Sequence, residues 1–592
     1  MTPIPVKYAP GTNKARQHTK ITSPAFDETD HVRFQSDGRL ATLPPYALSS
    51  ITEIVGRCRS EYAQRITGSN ERDCYFFGTH SHLYVYVNSI LHNITPLKTT
   101  GGTTLANDPL EITNTDRTVV VNHTAHGFAD GYRIGMSGIA GALNGVPAAD
   151  FNREHIITYI SANEYSIEVD TAPTSTDLTA GGAAVLILGQ ITAGNAIQES
   201  AAGMSAGDFG GGLFSAGGTS TTGQIELPRI WSFDPYGNDV VMCPGDYATG
   251  DGQKIYIWDG DTDVAPTVIS GAPTDCNWVM VVNNSVVALC GRTVKIAGLG
   301  TTPPTFSGLT YRAKSLERVD RAHSGWRHGD KEAVIHYGNG AILLKYVGGA
   351  DIWDLSDLYE DDGVISPMSC IRIGTALVWR GRRGFYGYDG GVVQPIENTQ
   401  NGEWILANEN TAKAWHSFAS ADQKNGEVYF HFVTGNDSEP GDYVLFSPKQ
   451  NSFTLGRMNR TASQRPGFLN DTFYMSYSDG STTEVYRHFT QGATTFDWYA
   501  RTSFFFLENG GRRFFIDEFR PDSNQSGNIT LQIIGRDTLN GPDLDLGTYT
   551  ITSSTSILNV RASAVYMSLR FSGSSEATLG IWAYNVRTMG KR

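Results

Sequence analysis

The chain has 592 residues, room for roughly two to four domains at about 150 residues each. With 27 Phe, 27 Tyr, 10 Trp and 40% apolar residues it can bury a large core, which excludes a disordered chain. Its formal net charge of −14 has the wrong sign for gripping nucleic acid by phosphate neutralisation, and no apolar run approaches the ~20 residues of a membrane helix.

The first residues carry Pro3, Pro5 and Lys7 where a signal peptide would be apolar, so no secretory targeting is expected and synthesis in the cytosol is the default. Short runs rich in Val, Ile, Tyr, Phe and Thr then alternate with Gly, Asp, Asn and Pro clusters almost to the end, the pattern of an all-β protein. Helical turns are expected only at 402–415 and 358–362. The six cysteines, Cys58, Cys74, Cys243, Cys276, Cys290 and Cys370, form no CxxC pair, so neither zinc nor disulfides are expected.

One unit recurs: a strand, a tight turn and a second strand. It is clearest at 83–96, 255–261 and 385–395, where Asp259-Gly260 and Asp389-Gly390 supply the positive φ of a hairpin tip, and weaker at 287–296, 342–353 and 443–454. Apolar strands precede most copies, at 239–242, 376–379 and 427–433, which makes about four strands per unit and predicts an irregular β-propeller of six or seven blades. Between the first and second copies, 97–228 carries a different set of strands followed by a Gly/Ala/Ser/Thr-rich stretch at 193–223. We expect a small β-domain inserted into the first blade, with a loop returning to the propeller. After about residue 489 the strands lengthen, which predicts a C-terminal β-sandwich. The expected divisions are an N-terminal arm contributing to that sandwich, or platform (1–50), a first blade (51–97), the insert with its loop (98–227), the remaining blades (228–489) and the sandwich itself (490–592).

Several stretches resemble a known family. Phe34, Gly38-Arg39-Leu40 and Pro44, then Phe77-Gly78-Thr79, Leu83 to Tyr86 and Asn93 to Pro96, and finally Trp582 with Arg587, resemble the tail nozzle proteins of short-tailed bacteriophages, also called tail tubular or head-stabilising proteins. Within the insert, His126 to Ile134, Leu143-Asn144-Gly145 and Tyr159 to Ile167 are similar to a small β-barrel module common in phage tail proteins. The resemblance implies a homohexameric ring at the distal end of a virion tail, assembled in the host cytoplasm. Such a ring would attach to an adaptor or portal-proximal ring protein, carry tail fibres at its flank, and close and then conduct the exit channel for double-stranded DNA. The family has no catalytic residues, so no enzyme activity and no cofactor are expected.

Individual residues offer other chemistry. Asp259, Asp261 and Asp263 alternate like the first ligands of a calcium loop, but Val264 and Ser270 stand where its Gly and Glu belong. His80 and His82 would share one strand face, as in some zinc sites, with no third ligand in view, while His123 and His126 fit a turn. Asp351, Asp354, Asp357, Glu360, Asp361 and Asp362 concentrate carboxylates around Trp353 and Tyr359; they read as a solvated loop, an acidic lining of the DNA channel, or a glycosidase pair. This last option sustains an alternative, a propeller-type glycan-binding or glycan-cleaving tail protein. Gly210 to Gly212 are expected in a loop of small residues, not a phosphate cradle, and Arg380, Arg382 and Arg383 could touch nucleic acid but are expected rather to pair with carboxylates at a subunit boundary.

Overall fold

A computed structural model describes residues 4–589 apart from 15–17, 21, 68–70, 200–224, 248–249, 318, 320, 350–351, 399–400, 467–472, 479, 489–496 and 508–511. The described chain is an all-β propeller carrying an inserted β-domain and a terminal sandwich. Six consecutive meanders form blades 1 to 6. Blade 1 comprises Cys58–Ile66, Arg72–Thr79, Leu83–Val87 and Ile90–Asn93, and blade 2 comprises Ser232–Tyr236, Asp239–Cys243, Tyr256–Trp258 and Thr267–Val268. Blades 3, 4, 5 and 6 begin with Trp278–Val282, Ala322–Arg327, Cys370–Ile373 and Phe418–Asp422. Each recurring hairpin read from the sequence falls in a different one of these blades. Just after the copy at 342–353, the helical turn expected at 358–362 is absent: Ile352–Tyr359 is the outermost strand of blade 4, with Tyr359 paired to Ala341.

Blade 7 is composite. Ala462–Pro466, Phe473–Tyr477 and Thr482–His488 need a fourth strand, and Tyr46–Leu48 from the N-terminal region supplies it by pairing with Thr482–His488. The ring is then closed by an unusual joint. The first strands of blades 7 and 1 are hydrogen-bonded in parallel, so the two blades form one continuous sheet, whereas blades 2 to 6 are separate four-stranded sheets. Buried tryptophans fill the spaces between blades: Trp231 donates to Thr79 O at 2.9 Å, Trp278 to Gly325 O at 2.8 Å and Trp326 to Pro367 O at 3.3 Å. Gly78 is small for this reason, since a Cβ there would lie 2.6 Å from the Trp231 ring.

The chain leaves blade 1 and returns to the propeller through adjacent segments, Lys98 N donating to Gly189 O and Ile191 N to Pro96 O. Between them lie two small sheets, one holding Arg133–Ser137 and Glu154–Ile156, the other Thr118–Asn122 and Glu164–Glu168. They close on their own core of Leu110, Val119, Val121, Ile134, Phe151, Tyr165 and Ile187. His123 and His126 are buried at its edge, His126 Nδ1 accepting from Phe128 N at 2.9 Å across a turn.

The sandwich is woven from both ends of the chain. Ile4–Pro5 pairs with Ala583–Thr588, His18–Lys20 with Phe504–Phe506 and Phe26–Asp30 with Trp498–Thr502. Tyr8 and Trp582 stack at 5.0 Å in its core. It docks on blade 6, where Thr29 Oγ1 donates to Leu455 O at 2.6 Å and Leu455 N to Thr12 Oγ1 at 2.9 Å.

Candidate functional site

A propeller offers two places for function, its axis and the face where the first strands begin. The axis is filled by Arg465. From blade 7 its guanidinium donates to Phe233 O in blade 2 at 2.5 Å and lies 4.0 Å from Asp234 Oδ1. It covers the rings of Trp326 in blade 4 at 4.8 Å, Tyr62 in blade 1 at 5.8 Å and Trp278 in blade 3 at 6.0 Å. Burial raises the Asp234 carboxyl, and Arg327, Arg465 and the N–H of Val281, 2.6 Å away, oppose that rise. A charge-assisted contact that touches five blades is a keystone of the ring.

The face is occupied by the chain itself. Residues 192–198, returning from the insert, cross it as an extended strap whose carbonyls satisfy the surrounding cations. Arg229 Nη2 donates to Thr192 O at 2.7 Å, Arg59 Nη2 to Ala196 O at 2.9 Å and Lys413 Nζ to Gln198 O at 2.5 Å. Gly194 N donates to His80 O, and Gln198 N to His416 Nε2 at 2.8 Å. Gly194 must be small, because a Cβ would meet Arg229 Nε and Asp246 Oδ1 at 2.5 Å. The cations are held from below: Arg59 grips Glu439 with two bonds of 2.7 and 2.8 Å, Arg57 joins the same carboxylate, and Arg229 grips Asp246. Burial alone would raise the Glu439 carboxyl, but Arg59 and His416 hold it down at about 2. Burial and then the positive field of Arg229, Arg57 and Arg59 push His80 down to about 4, and burial with Arg59 does the same to His416. Both imidazoles are therefore neutral at neutral pH, acting as hydrogen-bonding groups.

The residues singled out in the sequence lie elsewhere. Asp354, Asp357, Glu360 and Asp361 are exposed on or just after the outermost strand of blade 4, at the rim of the propeller. Asp362 corrects the expectation of a uniform acidic surface: it is 2% exposed and accepts from Arg382 N, Arg383 N and Tyr386 Oη, anchoring the loop of blade 5. Asp351 and Gly210 to Gly212 lie outside the described residues. Two members of the basic cluster pair with carboxylates of the same chain: Arg380 bonds Glu409 at 2.6 Å and Arg383 bonds Asp361 at 2.7 Å.

Asp259, Asp261 and Asp263 occupy a hairpin tip in which each of the first two carboxylates accepts the N–H two residues on. The carbonyls of Thr262 and Asp263 are taken by Arg133 of the insert, which also bonds Glu154 and Asn93 O. The triplet is thus part of the joint between insert and propeller. His80 and His82 stand in the turn between two strands of blade 1, not on one strand face, His80 Nδ1 accepting from Arg57 N. Among the described residues no group of three His, Cys, Asp or Glu is placed to hold a metal ion, and the six cysteines are free and buried.

No family model and no curated protein matches the chain. Among solved structures it is similar to the CNH domain of AfRom2, with 11% identity over 44% of this chain and 93% of that one and a TM-score of 0.25. The extracellular domain of a putative one-component system from B. thetaiotaomicron gives 9% identity over 90% and 76%, with a TM-score of 0.29. The phage phi92 endosialidase gives 8% over 82% and 68%, with a TM-score of 0.16. Likenesses this distant carry no functional argument.

Proposed function

We propose that the chain is a structural subunit of a short phage tail, the nozzle that closes and then conducts the DNA channel as a homohexameric ring. The motifs around Phe77, Asn93, His126 and Tyr159 support the family, and one structural observation carries the reading: both places where a propeller normally receives a ligand are filled from within. Arg465 fills the axis and the strap 192–198 covers the face, its cations already neutralised by Glu439 and Asp246. A solid propeller suits a wall unit in a ring, where the channel lies between copies and no chemistry is needed, better than it suits a glycan-binding or glycan-cleaving protein. In this reading an adaptor or portal-proximal ring sits above, fibres attach at the flank, and double-stranded DNA passes without being held.

Closure around a single duplex demands heterologous interfaces that complete a circle. Native mass spectrometry and negative-stain microscopy of the purified chain, alone and with tail particles lacking it, are expected to give six-fold rings. A chain that stays monomeric in both settings and binds or releases an acidic polysaccharide would overturn the reading.

A further inference from the structure

The joint that closes the propeller differs chemically from the others. Three register pairs join blades 7 and 1, Gln464↔Glu61, Arg465↔Tyr62 and Pro466↔Ala63, and proline brings no N–H to a ladder that is already short. Glu61 stands in the first of these pairs and is 2% exposed. Phe77 is its partner across the other edge of the strand, and its polar neighbours across the seam are the hydroxyl and N–H of Ser476 in blade 7, which bear no charge. The titratable groups around it are Cys58 on its own strand, Tyr75 on the neighbouring strand of blade 1, Tyr474 in blade 7, and Arg460 just before the first strand of blade 7. Arg460 is committed elsewhere, stacked on the Tyr486 ring at 3.9 Å and the Tyr46 ring at 4.7 Å and donating to His488 Nε2 at 3.3 Å. A carboxyl buried at a sheet joint without an ion pair is tolerated as the neutral acid and penalised as the anion.

We propose that the seam between blades 7 and 1 is a proton-dependent clasp, closed most firmly when Glu61 carries its proton and loosened when Glu61 ionises. Burial moves the Glu61 carboxyl up to about 7, while Ser476 and then Arg460 oppose that rise without cancelling it. The folded group keeps its proton to higher pH than the opened one. Seam stability from this residue is therefore complete at acid pH, falls as pH rises above the ordinary carboxylate range, and levels off above about 7. Buried His488, depressed by burial, acts in the opposite sense at acid pH, so the contribution of Glu61 is isolated by comparison with a variant that cannot ionise.

Hydrogen exchange read by mass spectrometry on the full chain, corrected for intrinsic rates, tests this at peptides spanning 58–66 and 462–466. The opening equilibrium of the wild type relative to Glu61→Gln is expected to rise on the order of fifty-fold between pH 5 and 8.5, and peptides of blades 3 to 5 are expected to show no such change. Glu61→Met serves if the glutamine variant does not fold. Glu427→Gln is the control, since Glu427 in blade 6 is also buried and raised to about 7, and it is expected to leave the seam's response intact. An unchanging ratio across pH, abolition of the response by Glu427→Gln, or corrected seam protection in the wild type that is flat with pH would overturn the proposal.

Discussion

Arg59 and Glu439 form a two-pronged ion pair at 2.7 and 2.8 Å although 380 residues of chain separate them. Both are buried, and Arg59 spends its remaining donors on Ala196 O, so this pair ties together blade 1, the loop within blade 6 and the strap. Removing one partner leaves the other charge stranded away from water, a cost of about 3–5 kcal/mol. Glu439→Gln is therefore expected to lower the chemical-denaturation midpoint sharply and to expose 192–198 to limited proteolysis, whereas Arg59→Met combined with Glu439→Leu should recover part of the loss. The pH sign follows from the depressed carboxyl: its stabilisation is complete above the ordinary carboxylate range and is lost as pH falls toward about 2. Equal acid sensitivity in wild type and Glu439→Gln would show that the pair does not hold the strap.

A second acid-sensitive element is His431. It lies flat on Phe418 with ring centroids 4.4 Å apart and planes 5° from parallel, and neither ring nitrogen is in hydrogen-bond geometry with a partner among the described residues. Burial, then the Arg460 charge, lowers it to about 3. Its neutral form is favoured in the fold, so stability is present above the unfolded histidine's pKa and lost as pH falls below it. His431→Phe keeps a flat ring on Phe418 and removes the proton-binding group. We expect it to move the acid unfolding midpoint to lower pH with little change at pH 8; an unmoved midpoint would assign acid unfolding to other groups, of which His336, also lowered to about 3, is the first candidate.

How much of this was legible follows from where partners sit along the chain. Blades 1 to 6 announce themselves because each is a local meander with a hairpin such as Asp389-Gly390 at its tip. Blade 7 does not, since Tyr46–Leu48 joins it from more than 400 residues away. The site was hidden for the same reason. Arg59, Arg229, Lys413, Glu439 and Arg465 are scattered along the chain, and only the ring brings the first four to its face and Arg465 to its axis. A signal was present in Arg57 and Arg59 flanking Cys58 at the start of an inner strand, where charge is costly unless paired. Conversely the conspicuous acidic run misled at its end, because the role of Asp362 depends on N–H groups 20 and 21 residues further on.

The insert should be separable from the propeller, but the strap should not. Lys98 and Gly189 are hydrogen-bonded neighbours, and the insert has its own core, so deleting 99–188 and bridging the gap with a short Gly/Ser linker leaves blades and strap intact. The bonds lost to the propeller include those of Arg133 to Asn93 O, Thr262 O and Asp263 O, of Ala265 N to Glu154, of the Asn93 amide to Gly131 O, and of Thr99 with Asp251 and Lys254. We expect a cooperative unfolding transition within a few degrees of the wild type by calorimetry. Extending the deletion through 223 removes the strap and leaves Arg59, Arg229 and Lys413 without their carbonyl partners; a much larger loss is expected there. Similar midpoints for the two deletions would deny the strap its structural role.

The rim carboxylates test the proposed channel. Asp354, Asp357 and Asp361 lie on or beside a strand that pairs on one side only, and charges on such an edge already have a plain purpose, preventing edge-to-edge association. Lysine serves that purpose equally well, so changing all three to Lys preserves edge protection while reversing the field. Asp362 is left alone because it anchors the loop of blade 5. The Arg383 pair with Asp361 is lost, but it is exposed and worth little. If the rim of blade 4 lines a lumen between copies, phosphates that met repulsion now meet attraction: particles should assemble normally, and DNA release should slow, more so at low ionic strength where the Debye length grows. Release kinetics are measured by dye uptake after receptor triggering at two salt concentrations. Identical kinetics at low salt, with intact particles, would put blade 4 on the outside of the ring and leave its carboxylates with edge protection alone.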